Sequence, residues 1–222
     1  MSRVLLFLVL GGLALAEPQP AGWTTLKVDR VVFVHGIWQN EATCFGRLRR
    51  TLEERGVECI APSLSPADGR EGLEPMAQQL KDAIDLRLPP KSRFAVIAFS
   101  MGGLIARTYL QDLGGAARCQ ALVTLATPHH GTRAAFFHYG KGAAEMRPGS
   151  VFLNELEAGQ HRLGDMPLLS YRTPMDLIIV PSTSSVWDRA VNVEVPVAIH
   201  PAMTTSRRVI DDLLTRFDFP QG

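Results

Sequence analysis

The strongest chemical signal in this 222-residue chain is a run of six residues, Ala98-Phe99-Ser100-Met101-Gly102-Gly103. The apolar stretch Phe94 to Phe99 leads into it and a helical pattern from Gly102 to Leu113 leads out, so Ser100 stands on a strand-to-helix turn. This is the G-x-S-x-G nucleophile elbow with alanine in the first position. Small residues two before and two after the serine are a steric need, because the strand end and the helix start nearly touch there. Alanine is small enough. On so tight a turn the hydroxyl projects clear of the sheet, where it can attack a carbonyl carbon once a base takes its proton. Ser100 as an ordinary helix N-cap is the plainer reading, and the preceding strand with its small flanking residues favours the elbow.

A serine hydroxyl needs a base, and the base needs an orienting acid. His200 follows the apolar run Val193 to Ile199 and precedes the last helical pattern. Asp176 follows the run Leu168 to Tyr171 by way of Arg172-Thr173-Pro174-Met175. In this scheme neutral His200 takes the hydroxyl proton, and Asp176 holds the tautomer and stabilises the imidazolium as it forms. The rival histidines His129, His130, His138 and His161 do not directly follow the last strand, and the rival acids Asp165 and Asp188 sit in loop-like sequence. Each partner taken singly would more often be a surface residue; order and placement together select these two. A histidine base predicts that activity falls in acid.

The developing oxyanion needs two N–H donors. The residue after the nucleophile and the loop after the first strand supply them in such sites, which assigns the main-chain amides of Met101 and Ile37. That loop reads His35-Gly36-Ile37-Trp38, and Gly36 permits a close approach to substrate. His35, Gly36, Trp38 and His129 are the candidates for lining the substrate. Taken alone, His35-Gly36 is an ordinary strand-to-loop turn, and His129 and His130 are loop residues rather than bases.

The elements that must position these groups alternate along the chain. Val31 to Val34 is a continuous apolar run, as expected of a strand covered on both faces. A helix from Thr43 to Arg55, a strand from Val57 to Ile60, and a helix carrying Met76, Leu80 and Ile84 follow. After the elbow come a strand from Ala121 to Ala126, a helix capped by Ser150, strands at Leu168 to Tyr171 and Val193 to Ile199, and a last helix with Val209, Leu213, Leu214 and Phe217. This alternation predicts an α/β fold of about six mostly parallel strands with helices on both faces. Ligands then bind at the carboxyl ends of the strands.

Composition narrows the function classes. With 23 basic and 22 acidic residues the net charge is +1, which leaves no strong electrostatic case for nucleic acid. No ligand spacing points to a metal or organic cofactor. Cys44, Cys59 and Cys119 fit no zinc or C-x-x-C signature and are expected as free thiols. Met1-Ser2-Arg3, the apolar run Val4 to Leu15 and Ala14-Leu15-Ala16 have the parts of a secretory signal. The expected organisation is a signal peptide at 1–16, a linker and edge at 17–29 and one catalytic domain at 30–222. The expected location is secreted or periplasmic after cleavage near Ala16, with a membrane tether through an uncleaved segment as the alternative.

With these residues in place the chain resembles the α/β-hydrolase superfamily, and within it the small bacterial secreted lipases and esterases that carry no large lid. The resemblance rests on His35-Gly36-Ile37-Trp38, the alanine-first elbow, Thr127-Pro128-His129-His130-Gly131-Thr132, Arg147-Pro148-Gly149-Ser150-Val151-Phe152-Leu153, and Asp176 with His200. It implies the α/β-hydrolase fold with a minimal cap or none, and the Ser, Asp, His chain order of that superfamily's triad. Phe136, Phe137, Tyr139 and Phe152 are apolar candidates for a small flap, or for ordinary core. The activity implied is that of a serine carboxylic ester hydrolase acting on a small-molecule or lipid ester through an acyl-enzyme, with possible transient contact at a lipid interface. An amidase, thioesterase or phospholipid or GPI-type deacylase on the same triad stays open, as does a non-catalytic binding protein of the same fold.

Overall fold

The structure, a computed structural model, describes residues 25–221. The signal-peptide expectation and most of the linker lie outside the described residues. In chain order the elements are β1 (Leu26–Lys27), β2 (Arg30–Val34), α1 (Gly46–Glu53), β3 (Glu58–Ile60), α2 (Leu73–Arg87), β4 (Phe94–Phe99), α3 (Met101–Asp112), β5 (Cys119–Leu125), α4 (Lys141–Glu145), α5 (Val151–Gly159), β6 (Leu168–Arg172), β7 (Val191–Glu194), α6 (Arg207–Arg216) and β8 (Phe217–Asp218).

Six strands form one parallel sheet in the order β3-β2-β4-β5-β6-β7. A separate two-residue parallel ladder joins β1 to β8. The apolar runs are continuous because both faces of the sheet are covered. Val32, Val34, Val96, Ala98 and Leu122 enter one core with α2, α3 and α5. The alternate residues Val31, Phe33, Ile97, Phe99 and Val123 enter the other, with α1 and α6. The period of two along each strand therefore divides the interior into two cores.

Sequence order reverses between β2 and β4, since β3 lies on one side of β2 and β4 on the other. A crevice opens at such a switch point, outside the carboxyl ends of the strands. The His35 loop follows β2 and Ser100 follows β4, so both border it.

Three expected elements differ. Phe217, expected on the last helix, lies just past its end, extended in β8 and paired with β1. The helix expected from Thr43 begins only at Gly46. Asn40 Oδ1 accepts from the amides of Ala42 (3.0 Å) and Thr43 (3.2 Å), and Thr43 Oγ1 accepts from the Asn40 amide. These local bonds offer the backbone an alternative to the helix. The strand expected over Val193 to Ile199 is Val191–Glu194. Pro196 has no N–H for a ladder, and His200 instead opens a short 3₁₀ turn, His200–Thr204. By contrast, the expected Ser150 cap is present, with its hydroxyl accepting from the Leu153 amide at 3.2 Å. Among the described residues no helix is long and apolar enough to cross a membrane. Cys44 and Cys119 are buried, Cys59 is half-buried, and none is bonded to another.

Candidate active site

Ser100 is the turn between β4 and α3, with φ 54° and ψ −126°. Left-handed φ is costly for a residue with a Cβ and persists only where the surroundings hold it. Here the Ser100 amide donates to Leu125 O (2.8 Å), and Ser100 O accepts from the Gly103 amide and from Thr127 Oγ1, both at 3.0 Å. Among the described non-glycine residues, the others with positive φ are Trp38 and Ala126. They follow β2 and β5, the strands on either side of β4. Local strain is thus gathered at the carboxyl ends of three adjacent strands.

The steric reason for the elbow pattern is visible at Gly102. A Cβ there would lie 2.3 Å from Val34 O and 2.5 Å from His35 O. Backbone atoms cannot yield as a side-chain tip does. Gly102→Ala is therefore expected to destabilise the fold by at least about 2 kcal/mol, read as a lowered urea midpoint; an unchanged midpoint would contradict this packing. At Gly36 a Cβ would meet Phe99 Cδ1 at 2.9 Å and Ser100 Cβ at 3.2 Å. The missing side chain lets the loop after β2 run directly beside the serine. Ile37 is next in that loop. Met101 is the first residue of α3, where amides have no partner within the helix.

The acid and the histidine meet across two loops. His200 Nδ1 lies 2.7 Å from Asp176 Oδ2, and both residues are buried. Asp176 Oδ1 accepts from the amides of Ile178 and Ile179 at 2.9 Å each. With the carboxylate ionised and so accepting only, Nδ1 carries the donated proton. In a neutral ring Nε2 is then the basic nitrogen. Nε2 is buried and makes no hydrogen bond among the described residues, so Ser100 and His200 are not hydrogen-bonded in this structure. The His200 ring centroid is 4.7 Å from that of Phe99, the residue before the serine. Catalytic hydrogen bonds are often open in unliganded sites and tighten around substrate.

Thr173 binds the two loops together. Its hydroxyl donates to Val197 O at 2.6 Å and accepts from the Val197 and Met175 amides at 3.3 Å. It is fully buried and fixes the span between the acid and the imidazole. Neither this tie nor the Thr127 bond to Ser100 O was readable from sequence, because each joins residues far apart along the chain.

The remaining site candidates take distinct places. His35 is buried, its Nε2 accepting from the Leu64 amide (2.8 Å) and its Nδ1–H donating to Gly36 O (2.9 Å). Both nitrogens are taken, so His35 braces the loop after β2. Burial lowers its pKa, opposed by the bond to Gly36. Trp38 is exposed and meets the edge of the His138 ring at 5.0 Å.

His129 lies in the interior. Its ring stacks on Trp187 at 4.6 Å, its Nδ1 faces Arg107 Nη1 at 3.3 Å, and its Nε2 lies 3.1 Å from Thr124 Oγ1. Arginine only donates, so Nδ1 accepts and the proton sits on Nε2. Burial first, then the charge of Arg107 and the nearby His130, hold its pKa well below the usual value. His129 is thus neutral in the fold and takes a proton only on unfolding. A folded pKa below the unfolded one means full stability above about pH 6.5 and loss below it. Unfolding free energy is expected to fall by about 1.4 kcal/mol from pH 7.5 to 5.5 through this group. Urea titrations at the two pH values check it, and the drop should flatten in His129→Gln. Equal pH dependence in both proteins would contradict the assignment. Among the described residues, no group of three or more His, Cys, Asp or Glu could hold a metal ion.

A family model described as palmitoyl protein thioesterase matches residues 30–156, more than half of the chain. The chain belongs to that family. The matched span runs from the first residue of β2 into α5 and takes in the His35 loop, the Ser100 turn and the Thr127 loop; Asp176 and His200 lie beyond it. No curated protein matches the chain. Solved structures share the fold. The mature form of the Bacillus licheniformis lipase BlEst2 has a TM-score of 0.65 at 14% identity, over 90% of this chain and 91% of that one. Aspergillus fumigatus lipase B gives 0.66 at 17% identity, over 91% of this chain and 56% of that one. A pyrethroid hydrolase from Sphingobium faniae JZ-2 gives 0.57 at 16%, over 85% and 97%. This palmitoyl protein thioesterase family member therefore has the α/β-hydrolase fold and is a hydrolase.

Proposed function

We propose that the chain is a serine hydrolase that cleaves acyl esters or thioesters through an acyl-enzyme. The observation that carries this reading is the 2.7 Å Asp176–His200 bond, which leaves an unpartnered, buried Nε2 beside the strained Ser100 turn. In this scheme Ser100 Oγ attacks the carbonyl carbon as His200 Nε2 takes its proton. The Ile37 and Met101 amides receive the oxyanion. The imidazolium then protonates the departing alkoxide or thiolate. Water, deprotonated by the same nitrogen, releases the acid and restores the serine. Preorganised donors are the largest contribution in such reactions, each worth about 10²–10³ in rate.

The family match favours the thioester within this pair. A thiolate needs less help than an alkoxide to leave. Initial rates on matched oxygen esters and thioesters of one acyl chain test the reading. Hydrolysis of both, faster on the thioester, is expected; no turnover of either would overturn it. Export after cleavage near Ala16 belongs to the same proposal, and an intact mass lacking residues 1–16 is the expected result.

A further inference from the structure

Most of the large apolar side chains that stand in solvent are gathered at one end of the molecule, with Leu86 on α2 and Val151 on α5 set apart on helices. Phe137 is 84% exposed, Tyr139 96% and Leu177 82%, with Trp38, Phe136 and Ile199 also exposed. All six lie on the connections that leave the carboxyl ends of the strands, the end at which Ser100 stands. The structure ties these loops into one face. The Trp38 ring meets His138 at 5.0 Å. Thr132 Oγ1 donates to Ile178 O at 2.7 Å, joining the Phe136 loop to the loop of the acid. Ile199 precedes His200, which is bonded to Asp176. The aromatics at 136, 137 and 139 are thus not core; Phe152 alone of the flap candidates packs against the interior.

The charges nearest the exposed aromatics are mainly basic, while Glu41 and Glu71 stand exposed on the loops after β2 and β3. Arg133 precedes the three exposed aromatics and Lys141 and Arg147 follow them, and the Arg147 guanidinium lies 5.2 Å over the Phe136 ring. The sole acidic residue from 133 to 147 is Glu145. Its carboxylate is mostly buried, accepts from the Leu73 amide at 2.8 Å and faces Lys141 at 3.7 Å. It therefore presents little negative charge outward. A monomeric protein seldom exposes contiguous apolar surface without a partner for it. Aromatic rings among basic side chains suit the headgroup zone of a bilayer, where rings enter the acyl boundary and cations meet phosphate.

We propose that this face docks on an anionic phospholipid surface, with the Phe136–Tyr139 loop inserted and Arg133 and Arg147 against the phosphates. The Ser100 site then opens onto the membrane. This deepens the hydrolase reading and rests on it for the substrate: an acyl group presented at a lipid surface rather than free in solution.

The test uses the full chain and sedimentation with vesicles of pure phosphatidylcholine or vesicles enriched in phosphatidylglycerol. Binding is expected to favour the anionic vesicles and to weaken with salt. The double variant Phe137→Ser, Tyr139→Ser is expected to lose at least about tenfold in partitioning, and Arg133→Glu about tenfold. Both should hydrolyse a soluble short-chain ester as the parent does. Equal binding by parent and variants would overturn the proposal, since it would assign binding to the apolar amino-terminal run that all share. So would no binding to either vesicle. A concentration-dependent dimer by light scattering that the double variant abolishes would also overturn it, making a second copy the partner. A chain that binds vesicles but hydrolyses no ester sinks the hydrolase reading alone; one that hydrolyses soluble esters but ignores vesicles sinks the docking alone.

Discussion

Replacing Ser100 by alanine is expected to lower kcat/KM on an activated acyl ester by roughly 10⁴–10⁶-fold. The residual rate would come from the oxyanion donors and substrate binding alone. Fold and stability should survive. Ser100 Oγ makes no hydrogen bond among the described residues, and the bonds that hold the turn run through the Ser100 amide and carbonyl. Alanine keeps both and can adopt the left-handed φ, as Ala126 does at 49° after the neighbouring strand. The measurement is hydrolysis of a p-nitrophenyl ester beside a urea denaturation curve. Full activity with an unchanged curve would remove Ser100 from the chemistry.

Asp176→Asn carries the second-largest expected effect, about 10⁴-fold in kcat with little change in KM. The geometry gives the reason. Asp176 Oδ1 is held by the Ile178 and Ile179 amides, which demand an acceptor. An asparagine must therefore keep its carbonyl oxygen on that side and turn its NH₂ toward His200. An NH₂ group facing Nδ1 is satisfied only if Nδ1 is unprotonated, which moves the imidazole proton to Nε2. That nitrogen then cannot accept from Ser100. The loop should stay in place, because Thr173 still ties it to Val197. A loss below tenfold, with an unchanged circular dichroism spectrum, would show that the tautomer does not govern the rate.

The elbow was legible in the sequence because its constraints are local: a strand, a small–x–Ser–x–small turn and a helix lie within about twenty residues. The parallel sheet was equally legible, since Val31 to Val34 and Phe94 to Phe99 are apolar at every position and only a doubly covered strand requires that. Chain order and position after a strand singled out Asp176 and His200, and the structure brings them to 2.7 Å. The end of the last strand was misread because Val195, Val197 and Ile199 continue the alternation; Pro196 outweighs it by withholding a donor. His129 looked like a loop residue after Thr127-Pro128. Its burial depends on Arg107 and Trp187, one earlier in the chain and one much later, which no local pattern records. For Phe137 and Tyr139 the sequence left flap and core both open, since apolar residues in a short irregular segment fit either, and the structure leaves both side chains exposed.

In the proposed chemistry the hydroxyl at position 100 owes its nucleophilicity to the imidazole at position 200. Reaction with a fluorophosphonate probe, followed by peptide mass spectrometry and by its rate in His200→Ala, tests it most directly. A single adduct on Ser100 is expected, forming at least about 10³-fold more slowly in the variant. An adduct on another residue, or a rate on Ser100 that does not depend on His200, would contradict it.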